Sequence, residues 1–507
     1  MLEAYEAPVF SAQDRGIFDQ LVPYDHWTRR ADARIDFLGL RQSIEHFFKS
    51  GGRPAVEPIL CLKLELLMFH DALSDRQVFA KAKTDVAYRR FLGLGLNDHL
   101  PDVSTLRGFR TRLGVEGHEK VFHELLRQAR GHGLVKDRLR IKDATHVLAD
   151  IAIPAGLQLI AQARNKVLSA AERFAADDVI GERARVELIR TTTDSQGNEA
   201  RLVARVEHLR DILKWVTEIT PPEEASASHA WQTLQDSVAI AQKVLQGQDD
   251  PQTPGKVRST ADADARRGKH GDFYDGYSVD VLIDADSEMF TAINVYPADG
   301  NESADTLTLL DQEQAAHENQ IAQISIDGAG FDGPLIRELN SRGIEAFVPP
   351  KEPTNNGRFT TRDFKFSDDK SHATCPAGHT SQYRQRDEGR HKTSYRFDPA
   401  ACAACPLRNQ CLNGNQKHAR TVTLNDYEPE YEQLRQLQQT EEYAAVKKEH
   451  PKVERRLGEL VNRHDGRRAR YRGLIRVKVQ KFLEGTAHNL MRIIRLLDSN
   501  TGFAIAK

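Results

Sequence analysis

Two short apolar runs, each ending in an aspartate, constrain this chain more than any other feature: Leu139–Arg140–Ile141–Lys142–Asp143 and Ile324–Ser325–Ile326–Asp327. A run of this length reads as a buried strand, and an acid at its end projects outward from a rigid support. Two such strands side by side would hold their carboxylates close together, where like charges repel unless a divalent cation bridges them. That arrangement suits metal-assisted phosphoryl transfer. A third acid, Glu454, lies much later, in a helical segment whose apolar side is Val453, Leu457 and Leu460. Glu449 and Glu459 are rivals for the same role. Each acid alone has a blander reading: a turn or helix cap for the aspartates, a solvated helix position for the glutamate.

Basic residues cluster around Glu454. Between Pro451 and Gln480 there are ten Arg and Lys against three acids. The formal net charge is only −2, but a locally concentrated basic surface is what a polyanion reads. Arg455, Arg456 and Arg463, and the run Arg467, Arg468, Arg470 and Arg472, are the candidate phosphate contacts. The other reading of this run is a solvated helix face.

The rest of the sequence sets the frame. A content of 39% hydrophobic and 28% charged residues is ordinary for a soluble globular chain, and 507 residues leave material for a large core. No run of apolar residues is long enough to span a membrane, and the N-terminus has neither the basic start nor the apolar core of a signal peptide. We expect a cytoplasmic protein.

Residues 1–135 read as helices, with Pro58 opening one, Ser74 capping another and Pro101–Thr105 preceding a third that carries Arg107, Arg110 and Arg112. They suit a helix-turn-helix reader of DNA or an ordinary bundle equally well. Residues 136–156 hold the first strand, and 157–255 a helical insertion ending in a polar linker. Residues 256–364 change to strands: a hairpin from Asp275–Asp284 and Met289–Tyr296, a helix over 303–318, a strand at 323–327, a helix over 332–341 and a strand at 345–348. The fold class is therefore α/β, a mixed sheet flanked by helices and assembled across the insertion. Residues 421–507 complete it with basic C-terminal helices.

Of the five cysteines, Cys61 lies in an apolar helical run and reads as a buried small hydrophobe. Cys402 and Cys405 form a C-x2-C pair, Cys411 follows, and Cys375 precedes them by 26 intervening residues, all within a segment of residues 365–420. Four thiolates of this kind close around a structural Zn²⁺, with His372 and His379 as alternative ligands. An iron–sulfur cluster and unliganded cysteines are the competing readings.

Several motifs occur together: Gly52–Arg–Pro–Ala–Val–Glu–Pro–Ile–Leu60, Leu73–Ser–Asp–Arg–Gln77, Arg90–Phe–Leu–Gly–Leu94 and Pro101–Asp–Val–Ser–Thr–Leu–Arg–Gly–Phe–Arg–Thr–Arg–Leu113. Others follow at Asp262–Ala–Asp–Ala–Arg266, Tyr274–Asp–Gly–Tyr–Ser278, Asp327–Gly–Ala–Gly–Phe–Asp–Gly333, Cys375–Pro–Ala–Gly–His379, Cys402–Ala–Ala–Cys–Pro–Leu–Arg–Asn–Gln–Cys411 and Arg470–Tyr–Arg–Gly473. From about residue 15 to 497 the chain resembles bacterial insertion-sequence DDE transposases, and within them the long subgroup with a cysteine-bearing insert.

The resemblance implies an RNase H-like catalytic core with the triad Asp143, Asp327 and Glu454. It also implies two Mg²⁺ or Mn²⁺ ions, double-stranded DNA as partner (transposon ends with inverted terminal repeats, and a target), and a homo-oligomer bridging two ends at the nucleoid. Strand cleavage would free a 3′-OH, which would then attack the target. One departure stands out. The family pattern often has a Lys six or seven residues after the glutamate, where this chain has Leu460 and Val461. A nuclease without strand transfer and a catalytically silent DNA-binding descendant are the rival functions.

Overall fold

The structure is a computed structural model that describes residues 2–48, 51, 54–222, 227–413 and 418–500. Gly52 and Arg53 of the first motif lie outside the described residues.

The N-terminal part is built from α1 (Ala12–Leu21), α2 (Trp27–Arg34), α3 (Phe37–Ile44), α4 (Pro58–His70), α5 (Asp75–Thr84), α6 (Val86–Leu92) and α7 (Ser104–Gly131). Pro58 occupies the first turn of α4, where its missing N–H has no intrahelical partner to lose. Ser74 caps α5, and Gln77 reaches back to complete a capping box. The long α7 is kinked at Gly114, whose φ of 57° and ψ of −155° belong to a region open essentially to glycine alone.

Strand β1 (Leu139–Leu148) follows, then the helical insertion α8 (Gly156–Ala171), α9 (Ala176–Thr193), α10 (Gly197–Val216) and α11 (Ser228–Asp249). These four helices enclose a hydrophobic cluster of their own around Val167, Leu168, Leu209, Ile212 and Leu234. The chain returns to the sheet with β2 (Arg266–His270), β3 (Asp272–Asp284) and β4 (Phe290–Pro297), then α12 (Glu302–His317), β5 (Gln323–Ser325), α13 (Gly333–Ser341) and β6 (Glu345–Phe347). The hairpin, helices and strands expected here form, with one strand unforeseen: β2, a polar Arg–Arg–Gly–Lys–His stretch with no apolar alternation.

The sheet runs β2-β3-β1-β5-β6, with β4 also paired to β3. β3 is antiparallel to β1, β2 and β4, whereas β5 is parallel to β1 and β6 parallel to β5. The outer edge of β3 is shared, β2 taking Asp272–Gly276 and β4 taking Tyr277–Ile283. Helices cover both faces, as a mixed sheet with buried parallel strands requires.

Residues 365–425 form a small separate sheet, β9 (Tyr383–Asp387), β10 (Lys392–Arg396) and β11 (Thr421–Asn425), beside the two-stranded β7 (Lys365–Phe366) and β8 (Ala373–Thr374). The short helices α14 (Pro399–Ala403) and α15 (Arg408–Cys411) carry Cys402 and Cys411, with Cys405 in the turn between them. The C-terminal part is α16 (Glu428–Gln438), α17 (Glu441–Glu449), α18 (Pro451–Arg463) and α19 (Leu474–Asn500).

α19 ties the molecule together. It packs on α7, α4, α2 and β4, so the N-terminal helices and one face of the sheet share a continuous core that includes Phe69, Phe122, Ile141, Phe290, Phe482 and Ile493. Gly485 permits this approach, because a Cβ there would sit 2.4 Å from Ile293 Cδ1. The Asn489 amide accepts from Phe290 N (2.9 Å) and donates to Phe290 O (2.8 Å), standing in for a neighbouring strand.

Candidate active site and cysteine centre

β1 does not stop at Asp143. It continues five residues further, held by pairing with β3 as far as Leu148↔Gly276. What ends near Asp143 is the parallel contact with β5, which covers Leu139↔Gln323 to Ile141↔Ser325. Asp143 and Asp327 each lie two residues beyond the last of these pairs. With side chains alternating along a strand, they share one level and the same face as Ile141 and Ser325. Each carboxylate is oriented by a backbone amide: Asp143 Oδ1 accepts from Ala144 N (2.8 Å), and Asp327 Oδ1 from Ala329 N (3.0 Å), capping a short turn at Gly328–Gly330. Both are half-buried rather than projecting into solvent.

The opposite face of β1 is anchored by charge. Arg140, fully buried, donates to Asp284 (2.9 Å), Glu313 (2.7 Å) and Asp137 (2.6 Å), and Lys142 pairs with Asp280 at 2.9 Å. These side chains replace the apolar residues a buried strand would ordinarily present, which is why a run containing Arg140 and Lys142 can still sit in the core.

On the carboxylate face, Lys447 Nζ donates to Ile326 O (2.6 Å) and Ser325 Oγ (3.3 Å), and His450 Nδ1 stands 3.0 Å from Ser325 Oγ. Burial pushes Lys447 down to about 8, with Asp327 opposing the fall. Burial and the Lys447 charge bring His450 down to about 4. His450 keeps helical backbone angles between α17 and α18, so Lys447, His450 and Glu454 recur at helical spacing along one side. Sequence reasoning missed Lys447 and His450; the signal was this three- and four-residue spacing upstream of Glu454. Glu454 itself is exposed, while Val453, Leu457 and Leu460 are buried as expected, and α18 packs against β1. The three carboxylates are not drawn into a cluster: among the described residues no group of three or more His, Cys, Asp or Glu could hold a metal ion as placed.

The candidate DNA contacts divide. Arg107, Arg455, Arg463, Arg468 and Arg472 are exposed. Arg467 lies along the end of β1, donating to Thr145 Oγ1 (3.1 Å) and His146 O (3.1 Å). Three others are engaged internally. Arg110 pairs with buried Glu65 (2.9 Å) and Asp75 (2.9 Å), Arg456 with Glu288 (2.8 Å) and Glu459 (2.7 Å), and Arg470 donates to Leu73 O (2.7 Å) over the Phe69 ring. A guanidinium so committed has little to offer a phosphate.

Cys375, Cys402, Cys405 and Cys411 line one small cavity of about 30 Å³ with His379, Arg408 and Arg420. Three of them pack on a miniature core of Phe364, Tyr395, Phe397 and Val422. Burial pushes the Cys411 thiol up, Arg420 opposes this, and the other three cysteines add to the rise. The donor set suits a thiophilic metal, although the thiols as placed do not form a liganding group. His372 stays outside, exposed and bonded to Ser371 (3.0 Å). Cys61 is buried, as its apolar run predicts.

A helix-flanked mixed sheet with two aspartates at one level, just past the paired stretch of two adjacent parallel strands, is consistent with the RNase H-like core of a DDE enzyme. Residues 374–494 match a family model described as a transposase DDE domain, and residues 17–112 one described as a transposase domain (DUF772). Together these two matches support an insertion-sequence DDE transposase. The DDE match takes in the cysteine centre and Glu454 and does not extend to Asp143 or Asp327. No curated protein matches the chain. Among the described residues no helix is long and apolar enough to cross a membrane.

Proposed function

We propose that this DNA transposase cleaves DNA at inverted terminal repeats and transfers the freed 3′-OH into target DNA, as a multimer, through Asp143, Asp327 and Glu454. The observation that carries this reading is the parallel register of β1 and β5, which sets the two aspartates level on the face turned toward α17 and α18. The hard carboxylate oxygens fit Mg²⁺ or Mn²⁺, which when bound would activate the attacking hydroxyl and offset charge on the leaving 3′-oxygen.

The chain's own residues prepare that site. Arg140 and Lys142 hold β1 from behind, the amides of Ala144 and Ala329 orient the carboxylates, and Lys447 supplies positive charge beside Asp327. Arg107, Arg455, Arg463, Arg467, Arg468 and Arg472 would neutralise backbone phosphates. Cys375, Cys402, Cys405 and Cys411 would hold a structural Zn²⁺ that fixes the insert. A second reading, a DNA-binding descendant without cleavage, is favoured by Leu460 and Val461 standing where the family pattern often has Lys.

The test is Mg²⁺-dependent cleavage and strand transfer with DNA ends from beside the gene, comparing wild type with Asp327→Asn. Joined products that vanish in the variant support the reading. Specific end binding without either reaction in Mg²⁺ or Mn²⁺ would sink it.

A further inference from the structure

A cavity of about 350 Å³ opens between the end of α4, the C-terminal half of α18, and α19. Arg463, Arg492, Arg495 and His488 line it, together with the acids Asp71 and Glu459. Both acids already have partners, though Glu459 shares Arg456 with Glu288. Asp71 accepts from Lys81 (2.6 Å), His70 (2.6 Å) and Tyr88, and Glu459 pairs with Arg456 (2.7 Å).

The cations are not matched. Arg463 and Arg495 are exposed and make no ion pair among the described residues. Arg492, buried, spends two nitrogens on Ser287 O (3.0 and 2.6 Å). His488 is only 3% exposed; its Nδ1 stands 3.7 Å from Glu459, and its Nε2 has no hydrogen-bond partner among the described residues. Burial, and then His464, Arg456, Arg492 and Arg495, hold its ring well below the ordinary value, so it is neutral, and its Nε2–H tautomer presents one N–H to an anion. A buried polar nitrogen without a partner costs free energy, and an unbalanced group of guanidinium ions costs more, unless a ligand completes both.

We propose that this cavity is a phosphate-binding pocket in which Arg463, Arg495 and His488 hold one phosphate group, with the charge of Arg492 in its wall. It is separate from the carboxylate site: Arg463 lies nine residues after Glu454 in sequence, about 180° around the helix at 3.6 residues per turn. The phosphate held here is therefore not the one being cleaved. Its chemistry is that of a DNA backbone phosphate outside the cleavage site or of a free phosphorylated compound.

The test uses the full-length chain with two probes, inorganic pyrophosphate and a random-sequence DNA duplex, on wild type and the Arg463→Gln/Arg495→Gln double variant. Both positions are exposed, so the variant should fold; Arg495→Gln alone serves if it does not. Pyrophosphate is expected to raise the wild-type thermal midpoint saturably, and the variant to lose that gain. With a DNA backbone as the source, the variant's slope of log affinity against log salt also falls by about one, the loss of one phosphate contact. An unchanged slope with the pyrophosphate gain abolished assigns the pocket to a free phosphorylated compound. A wild type that pyrophosphate does not stabilise, or a variant that it stabilises equally, overturns the pocket. Neither readout depends on cleavage.

Discussion

Replacing Glu313 tests whether β1 is held in place by the charge cluster behind it. The Glu313 side chain is fully buried and accepts from Arg140 (2.7 Å), Arg130 (2.9 Å) and Asn319 (3.0 Å). Breaking a buried ion pair by removing one partner costs about 3–5 kcal/mol, because the other charge stays buried without compensation. Arg140 keeps Asp284 and Asp137, and Arg130 keeps Asp137, so Glu313→Ala belongs at the low end, about 3 kcal/mol. Glu313→Gln retains the shape and an acceptor oxygen and should lose about 1.5 kcal/mol.

The pH dependence has a definite sign. Burial pushes the Glu313 carboxyl up, but the Arg140 charge and hydrogen bonds outweigh it, leaving the group below its ordinary 4.5. Its contribution is therefore complete above pH 4.5 and lost as the pH falls through the lowered value. Urea unfolding of wild type and Glu313→Ala at pH 7 and near pH 4 reads both effects. A difference below about 1 kcal/mol at pH 7, or one that widens on acidification, refutes the reasoning.

Gly276 lies opposite Leu148, and a Cβ there would stand 2.0 Å from Val147 O, a backbone atom that cannot move alone. Gly276→Ala should destabilise the sheet by at least about 2 kcal/mol in urea unfolding, and a smaller loss would show that β3 can shift freely. Purified protein is expected to carry Zn²⁺ that Cys402→Ser/Cys405→Ser removes, checked by elemental analysis. His123 and His317 face each other at 3.1 Å, and burial with mutual repulsion brings His123 down to about 3, while burial with Arg130 brings His317 down to about 4. Since the unfolded rings take protons near 6.5, stability should fall as the pH drops from 6.5 toward 4, and His317→Gln should flatten that fall.

Much of this fold is local and therefore legible. Pro58, the Ser74 cap and the buried apolar side of α18 follow from residue chemistry within a few positions, and Asp143 and Asp327 stand out because an acid after an apolar run is conspicuous. β2 was not legible, because it is a polar strand whose pairing with β3, not its own pattern, makes it one. The arginines show the same division. Their concentration is a property of the chain, but whether each faces solvent or an internal acid depends on partners far away in sequence, as with Arg110 on Glu65 and Arg470 on Leu73. The helical spacing of Lys447 and His450 ahead of Glu454 is in the sequence, but it gains meaning only once β5 lies beside them. By itself the sequence determined which elements form and which residue types are available for chemistry, since propensity, capping and alternation act over a few residues. Only the tertiary structure decided that β1 and β5 pair in parallel with both aspartates level, and which cations are left for a phosphate, because register and charge pairing are settled by contacts between distant segments.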